Sequence, residues 1–377
     1  MSVADASCTR LSTGSRRMFG YPGTLRRERR EGMAGKQMRR KAALLAAVVA
    51  MTLMALATGS AEMCTTQSQM TATDRDGLAN AARGLAAMVQ AGDVSGLRAS
   101  VVPEYAKDFT GIGDVVSGVA PKMKGGTLAV EQVYLLDASQ LKRSADGSFP
   151  EAQFFCTLNK STVEADFLIP GLDPGRYGFA IVEVRSATSP WRLSFLMRQD
   201  QGKWAMAGFY PKPMWAAGHD GVWYWKQARA MALQNQHWNA WLYYQQAESL
   251  LRPANFVQST HLEKLRSEMT ASAPPAVSAG VSAEAPLVVK GADGVEYRFT
   301  GMSVDDSLGK EKIDVVVHLK VDQIGDAATA GKRNTAAMSA LLGAYPELRK
   351  VFHGVWVFAE APGQNPFATE QAMAEVH

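Results

Sequence analysis

The stretch from Thr127 to Pro213 limits the fold more than any other, because it consists of short segments that alternate or run apolar. A period of two places successive side chains on opposite faces of a β-strand. Turn sequences such as LDPGRY and RQDQGKW separate the segments and are typical of connections between neighbouring antiparallel strands. An antiparallel sheet is therefore predicted from the segments TLAVEQVYLLDA, EAQFFCTL, VEADFLIP, RYGFAIVEV, WRLSFLMRQ and KWAMAGFYP.

A helical period precedes the sheet. The segment DRDGLANAARGLAAMVQAGD places apolar residues on one helix face, and Gly92 supplies a C-terminal stop. That face consists of Leu78, Ala82, Leu85, Met88 and Val89. VSGLRASVVPEYAKDF and IGDVVSGVAPKM predict one or two further short helices. Helices followed by an antiparallel sheet indicate the α+β class.

The segment from about 74 to 213 resembles the NTF2-like superfamily in its opening LAAMVQAGDVSGL and in its terminal hairpin WRLSFLMRQDQGKWAMAGFY. The resemblance implies a cone of helices against a curved antiparallel sheet. It also implies an interior pocket. Some members of the superfamily are isomerases or dehydratases, and their pocket contains an Asp or Tyr. IPGLDPGRYGF departs from this pattern and resembles a strand turn of a small immunoglobulin-like sandwich. An all-β domain therefore remains the alternative.

Three residues are candidates for chemistry in such a pocket: Asp166, Tyr105 and Asp108. Alternation in VEADFLIP can point Asp166 inward opposite Phe167, where burial would suit it to act as a base. Polar residues of alternating strands normally face solvent, and we favour that interpretation for Asp166.

The sequence motifs of other common enzyme classes are absent from the chain. The chain has no zinc-protease pattern, nucleophile elbow, phosphate loop or dinucleotide fingerprint, and its six histidines show no metal-ligand spacing. We therefore expect no metal site and no cofactor. A non-catalytic protein is the favoured interpretation, and a small-molecule enzyme, of isomerase or hydrolase type, is the alternative.

Five of the eight tryptophans lie between Trp215 and Trp241, in a segment that predicts a helical hairpin over about 221–253. Small residues and one tyrosine fall where a tetratricopeptide repeat places them, so the hairpin resembles a single such repeat. These residues are Ala228, Ala240, Tyr244 and Ala247. Gln227 and Pro253 depart from the repeat. A single repeat cannot bury its own core, so we expect the hairpin to pack against the preceding domain.

Four aromatic residues fall away from the Ala240/Ala247 face of the hairpin: Trp223, Tyr224, Trp238 and Tyr243. One interpretation is that they pack the hairpin onto the preceding domain. The other is that they form an exposed surface that binds a protein partner. The packing interpretation is favoured, because a lone hairpin must bury its second face.

The remaining boundaries follow from composition. Residues 214–269 form the helical segment, including a third helix in STHLEKLRSEM. Residues 270–286 are rich in Ala, Ser and Pro and predict a linker. Residues 287–377 predict a second small α+β domain. It contains a hairpin around Asp293-Gly294, a strand KIDVVVHLKVD, a helix ending at Gly343, and a last strand HGVWVFAEA.

The N-terminus has the order of a secretory signal peptide over about 38–61. A basic segment, Arg39 to Lys41, precedes the uncharged run Ala42–Ala57, and small residues at cleavage spacing follow. Residues 1–37 are an Arg-rich leader, so Met38 is a candidate true start, and 62–73 predict a flexible tail. The sequence predicts a periplasmic or secreted protein. The alternative is a single uncleaved N-terminal anchor, which would be the chain's only association with a membrane.

Charge argues against nucleic-acid binding. Residues 1–61 hold 11 Lys/Arg and 3 Asp/Glu, whereas the rest of the chain holds 29 and 33. The part expected to fold is therefore mildly acidic and offers no electrostatic footprint for nucleic acid. We expect its partner to be a protein or a small apolar ligand.

Export leaves two cysteines, Cys64 and Cys156, in an oxidising compartment. One alternative is a disulfide between them. Cys64 lies in a polar tail and Cys156 in an apolar run. The favoured interpretation is therefore a buried thiol at Cys156 and a mobile one at Cys64.

Overall fold

A computed structural model describes residues 63–157, 164–186, 189–278, 280–292, 294–309 and 311–377. The predicted leader and signal segment, 1–61, lies outside the described residues. All of the described residues belong to one unit of structure.

The first helix lies where its apolar period predicts it. The Thr71 side chain caps its start by accepting a hydrogen bond from the Asp74 amide, and Gly92 ends it with φ 70°. Leu78 and Val89 are fully buried on its inner face. Short helices follow, and the bounds are α1 Ala72–Ala91, α2 Val94–Ala99, α3 Pro103–Ala106 and α4 Thr110–Val119, with a 3-10 turn at Ala120–Met123.

The alternating segments form two antiparallel sheets. A five-stranded sheet has the order β1-β2-β5-β6-β7, and a three-stranded sheet has the order β10-β4-β3. The strands are β1 Met63–Thr66, β2 Thr127–Asp137, β3 Ala152–Thr157, β4 Glu164–Ile169, β5 Arg176–Arg185, β6 Trp191–Asp200, β7 Lys203–Pro213 and β10 Val257–Ser259. The predicted antiparallel sheet is therefore present, but it is divided in two.

The two faces of the five-stranded sheet bury different partners. Leu193, Phe195 and Met197 of β6 face the helices in one core. On the other face, Phe179 and Leu196 pack with the three-stranded sheet in a second core. Because helices cover the first face, the domain is α+β and the all-β alternative is wrong.

The helical segment follows at α5 Gly221–Leu233, α6 His237–Leu251 and α7 Thr260–Ser272, after a short hairpin of β8 Trp215–Ala216 and β9 His219–Asp220. Ala228, Ala240 and Ala247 are fully buried. A Cβ at Gly221 would lie 2.6 Å from Leu251 Cγ, so glycine at this position permits the close approach of α5 and α6.

The C-terminal part is a second α+β domain. Its sheet has the order β11-β12-β13-β14-β15, with β13 and β14 parallel and the other neighbours antiparallel. Helix α8 connects the parallel pair, as such a pair requires. The bounds are β11 Leu287–Lys290, β12 Glu296–Asp305, β13 Asp314–Lys320, α8 Ala327–Ala344, β14 Gly354–Glu360 and β15 Phe367–Ala372, with a 3-10 turn at Pro346–Lys350.

The aromatic face of the hairpin packs against this C-terminal domain, contrary to the expectation that it packs against the preceding one. Trp238 lies 4.1 Å from Tyr345 between ring centroids, and Tyr243 lies 5.9 Å from Phe352. The Trp238 amide donates to the Glu347 carboxylate at 2.7 Å. The period of an apolar face shows that it is buried but does not show which neighbour covers it.

The same packing closes the surface suggested for a protein partner. Tyr224, Trp238 and Tyr243 are 1%, 6% and 5% exposed, within a core that α5 and α6 share with the C-terminal sheet. Trp223 is half-buried and its ring stacks on His219 with centroids 3.6 Å apart. These four residues therefore form no exposed patch.

Part of the predicted linker, 270–286, also belongs to this core. Helix α7 continues to Ser272, and a 3-10 turn occupies Pro275–Val277. Val277 is 4% exposed and packs in the core shared by the hairpin and the C-terminal sheet. One buried apolar side chain among small residues fixes the connection, which the average composition does not reveal.

A candidate ligand-binding cavity

A cavity of about 480 Å³ lies between the five-stranded sheet, the three-stranded sheet and the helical segment. Its volume is within the range of small-molecule sites. Its lining is formed by Tyr134, Ala165, Phe167, Phe179, Ile181, Val222, Trp225, Leu251, Pro253, Val257, Gln258, Ser259, His261 and Leu262. We call it the apolar cavity.

One wall of the apolar cavity is a row of aromatic rings from the sheets. Tyr134 and Phe167 meet edge to face with centroids 5.0 Å apart, and Phe167 meets Phe179 in the same way at 5.2 Å. Burial raises the pKa of the Tyr134 phenol, so this hydroxyl stays neutral. The row is rigid because each ring is held by its neighbours and has only two side-chain torsions.

The opposite wall contains Trp225 of α5, held by an ion pair. The Trp225 indole donates to Glu268 at 2.8 Å, and the Arg229 guanidinium donates twice to the same carboxylate at 2.6 and 2.7 Å. That guanidinium also lies 4.6 Å from the centroid of the Trp225 ring. The hydrogen bond from Arg229 lowers the pKa of Glu268.

The other polar side chains of the cavity, besides Tyr134 and Trp225, come from β10 and the start of α7. Ser259 caps α7 by accepting a hydrogen bond from the Leu262 amide at 3.2 Å, and Gln258 and His261 lie beside it in the lining. None of the described residues that line the cavity carries a carboxylate. The arrangement can enclose an apolar body and hydrogen-bond a polar end, but it holds no carboxylate base.

Asp166 does not line the cavity, although its neighbours Ala165 and Phe167 do. Asp166 pairs across the strands with Phe155, which is 60% exposed, and with Gln258. Because side chains alternate along β4, the buried position of Phe167 turns Asp166 to the other face of the sheet.

Tyr105 and Asp108 are also separate from the apolar cavity. Tyr105 is 48% exposed and lines a smaller cavity of about 280 Å³ that also contains Tyr177 and Arg198. Asp108 is exposed and lines neither cavity. The structure therefore does not bring the three candidate catalytic residues into one site.

Cys64 and Cys156 are joined by a disulfide, which corrects the favoured interpretation of two separate thiols. Cys64 lies on β1, in register with Leu136 of β2, and its Cα lies 5.4 Å from that of Cys156 on β3. The bond therefore links the two sheets of the N-terminal domain. The polar composition around Cys64 gave no signal of a strand, so sequence reasoning placed it in a mobile tail.

Sequence reasoning also missed several residues of the cavity wall. Trp225 is not among the four aromatic residues singled out in the hairpin, and β10, which supplies Val257 and Gln258, is only three residues long. The short apolar stretch before the capping Ser259 is the one signal that could have indicated β10.

The described residues hold no cluster of three or more His, Cys, Asp or Glu that could bind a metal. Among them, no helix combines the length and apolar character needed to cross a bilayer. Comparison of the chain with protein-family models, with curated proteins and with solved structures finds no match.

Proposed function

We propose that this protein is an exported, non-catalytic envelope protein that binds a small apolar ligand in the apolar cavity. The carrying observation is the lining itself, which consists of aromatic and aliphatic walls with a few polar groups and no carboxylate. Enclosed apolar surface with few polar groups is the usual composition of a small-molecule site.

Export is supported by two independent features. The segment 38–61 has the order of a secretory signal peptide. The Cys64–Cys156 disulfide is typical of the oxidising compartments to which a signal peptide directs a protein. Both features support a periplasmic or secreted location.

An NTF2-like assignment for about 74–213 is part of the proposal. The packing of α1 against β2 and β5 of the five-stranded sheet, in one core with residues of the β6–β7 hairpin, supports it. A TPR-like assignment for about 221–253 is supported by the fully buried Ala228, Ala240 and Ala247 between adjacent helices. In this assignment the ligand occupies the face of the sheet opposite α1.

The test uses a neutral fluorescent probe, N-phenyl-1-naphthylamine, titrated into the full mature protein. Val222 is 44% exposed at the cavity, so Val222→Trp adds an indole there with little strain on the core. We expect this variant to bind the probe at least about tenfold more weakly, which corresponds to about 1.4 kcal/mol.

The matched control is Leu233→Trp, which places an indole on the same helix at a position 87% exposed and outside the cavity lining. It should bind as the unmodified protein does. Equal affinities of all three proteins, or no binding by any, would reject the cavity as the site.

A further inference from the structure

A group of four basic side chains borders the apolar cavity; we call it the cation cluster. It consists of Arg192, Lys212, Arg252 and Arg266. Arg192 and Lys212 are cross-strand partners on β6 and β7, so both side chains leave the same face of the sheet. Ile181, which lines the cavity, and Glu183 lie two residues apart on β5, and Glu183 is the cross-strand partner of Arg192. Arg192 therefore lies one strand across and two residues along from Ile181, and Lys212 lies one strand further across the same face.

The helical segment contacts both the cation cluster and the cavity from the side opposite the sheet. Arg192 donates to the carbonyl oxygens of Leu250 at 2.9 Å and Leu251 at 3.2 Å, at the end of α6. Leu251 and Pro253 line the cavity, and Arg252 lies between them in the chain. The same turn of chain therefore contributes both to the apolar wall and to the cation cluster.

The carboxylates of the described residues do not neutralise the cation cluster. Two carboxylates face its four cations: Glu183 near Arg192, and Glu248 near Arg252 at 3.5 Å and near Arg266 at 3.4 Å. Among the described residues, the half-buried Lys212 ammonium has neither a hydrogen bond nor an ion pair. Burial, followed by Arg252 and Arg192, lowers the pKa of Lys212, and the nearby Glu248 carboxylate opposes this shift.

Several polar atoms near the cation cluster and the cavity are buried without hydrogen-bond partners in the described part of the chain. The donors include Nη2 of Arg266 and Oγ of Ser194, which is fully buried, and Oε1 of Gln258 in the cavity lining is an acceptor of this kind. Ser194 is the cross-strand partner of Ile181, so it lies on the face of the sheet that bears the cavity. Buried donors without acceptors cost free energy, and an acceptor-rich group would satisfy them.

We propose that the ligand of the apolar cavity is an amphipathic anion, with its apolar body against Ile181 and Leu251 and its carboxylate, sulfonate or phosphate group at Lys212. This inference rests on the proposed function, because it specifies the ligand of the same cavity. An anion supplies acceptor oxygens for the Lys212 ammonium and for Nη2 of Arg266, and it offsets the excess of positive charge.

The experiment compares two probes with the same aromatic body: neutral N-phenyl-1-naphthylamine and its sulfonated form, 8-anilinonaphthalene-1-sulfonate. We expect the sulfonate to bind the unmodified protein on the order of tenfold more tightly. Lys212→Met should abolish this preference and leave the affinity for the neutral probe unchanged. Lys212→Arg should retain it, because the charge remains.

Lys203→Met is the matched control, since it removes the same charge from an exposed position at the start of β7. It should keep the preference for the sulfonate. Equal affinities of the two probes for the unmodified protein, or an unchanged preference in Lys212→Met, would overturn the inference. Binding of neither probe would instead reject the proposed function, so the two failures are distinguishable.

A competition experiment separates a free amphiphile from a membrane surface. Dodecanoate monomers should displace N-phenyl-1-naphthylamine, and dodecanol should displace it more weakly. Co-sedimentation with phosphatidylglycerol vesicles, without displacement by dodecanoate, would assign the cation cluster to a lipid surface and overturn the inference.

Discussion

The two sides of the helical hairpin, α5 and α6, differ in how completely they are filled. Toward the C-terminal domain, Tyr224 and Tyr243 lie in a continuous core with Phe299 and Val315. Toward the N-terminal sheets, Val222, Trp225 and Leu251 face a cavity. The filled side fixes the hairpin in place, so the other side can remain open without collapse of the wall. An apolar cavity bounded by rigid elements is the arrangement that a ligand site requires.

The largest expected effect is on the filled side. Tyr224 is 1% exposed, and its hydroxyl donates to the Ala216 carbonyl at 2.8 Å. Tyr224→Ala should lower the free energy of unfolding by about 3–5 kcal/mol, because it leaves a cavity and an unpaired carbonyl. Urea unfolding followed by circular dichroism measures this change.

Tyr105→Ala, at a position 48% exposed, is the control and should change the free energy of unfolding by less than about 0.5 kcal/mol. If Tyr224→Ala lost as little unfolding free energy as Tyr105→Ala, the hairpin would not be anchored to the C-terminal domain through Tyr224.

A smaller effect is expected on the open side, at the disulfide that joins its two sheets. Cys64 and Cys156 are 92 residues apart in the chain, so the bond restricts a long loop in the unfolded state. The double variant Cys64→Ser, Cys156→Ser should lose about 2–4 kcal/mol of unfolding free energy and bind the neutral probe more weakly. Mass measurement with and without reductant tests the bond directly. Two free thiols in the oxidised protein would contradict it.

The smallest expected effect concerns the ion pair that holds Trp225. The folded-state pKa of Glu268 is lowered, so its contribution to stability is present above its unfolded value near 4.5 and is lost as the pH falls through the folded value. Glu268→Gln should remove this part of the pH dependence and change the stability at pH 7 by no more than about 1 kcal/mol.

Unfolding free energies of both proteins between pH 7 and pH 3 provide the measurement. Glu263→Gln, on the same helix at an exposed position, is the control and should keep the dependence of the unmodified protein. Identical curves for Glu268→Gln and the unmodified protein would show that the carboxylate does not hold Trp225.

Local patterns predicted the elements of this fold better than their contacts. The period of α1 and the cap at Gly92 follow directly from sequence, as do the alternating strands of β5, β6 and β7. The division of the strands into two sheets does not, because an alternating segment can pair with either sheet. The insertion of β10 beside β4 depends on residues about 90 positions away, and no local signal encodes it.

The candidate site was the least predictable part. Asp166 stood out because it is an acid in an apolar segment, yet the alternation of β4 turns it away from the cavity that Phe167 lines. Lys212 did not stand out, because a single lysine in PKP carries no pattern. Its importance depends on Arg192, Arg252 and Arg266, which three separate elements bring to one place.

The sequence by itself determined the α+β class, the positions of the main helices and strands, and the asymmetry of charge between the leader and the rest of the chain. These properties depend on near neighbours along the chain, whose spacing sets which faces are apolar. Only the tertiary structure decided what covers the aromatic face of the hairpin, that Cys64 meets Cys156, and where a cavity remains. Those outcomes depend on which distant surfaces meet, because burial favours any apolar contact and only the complete packing selects among them.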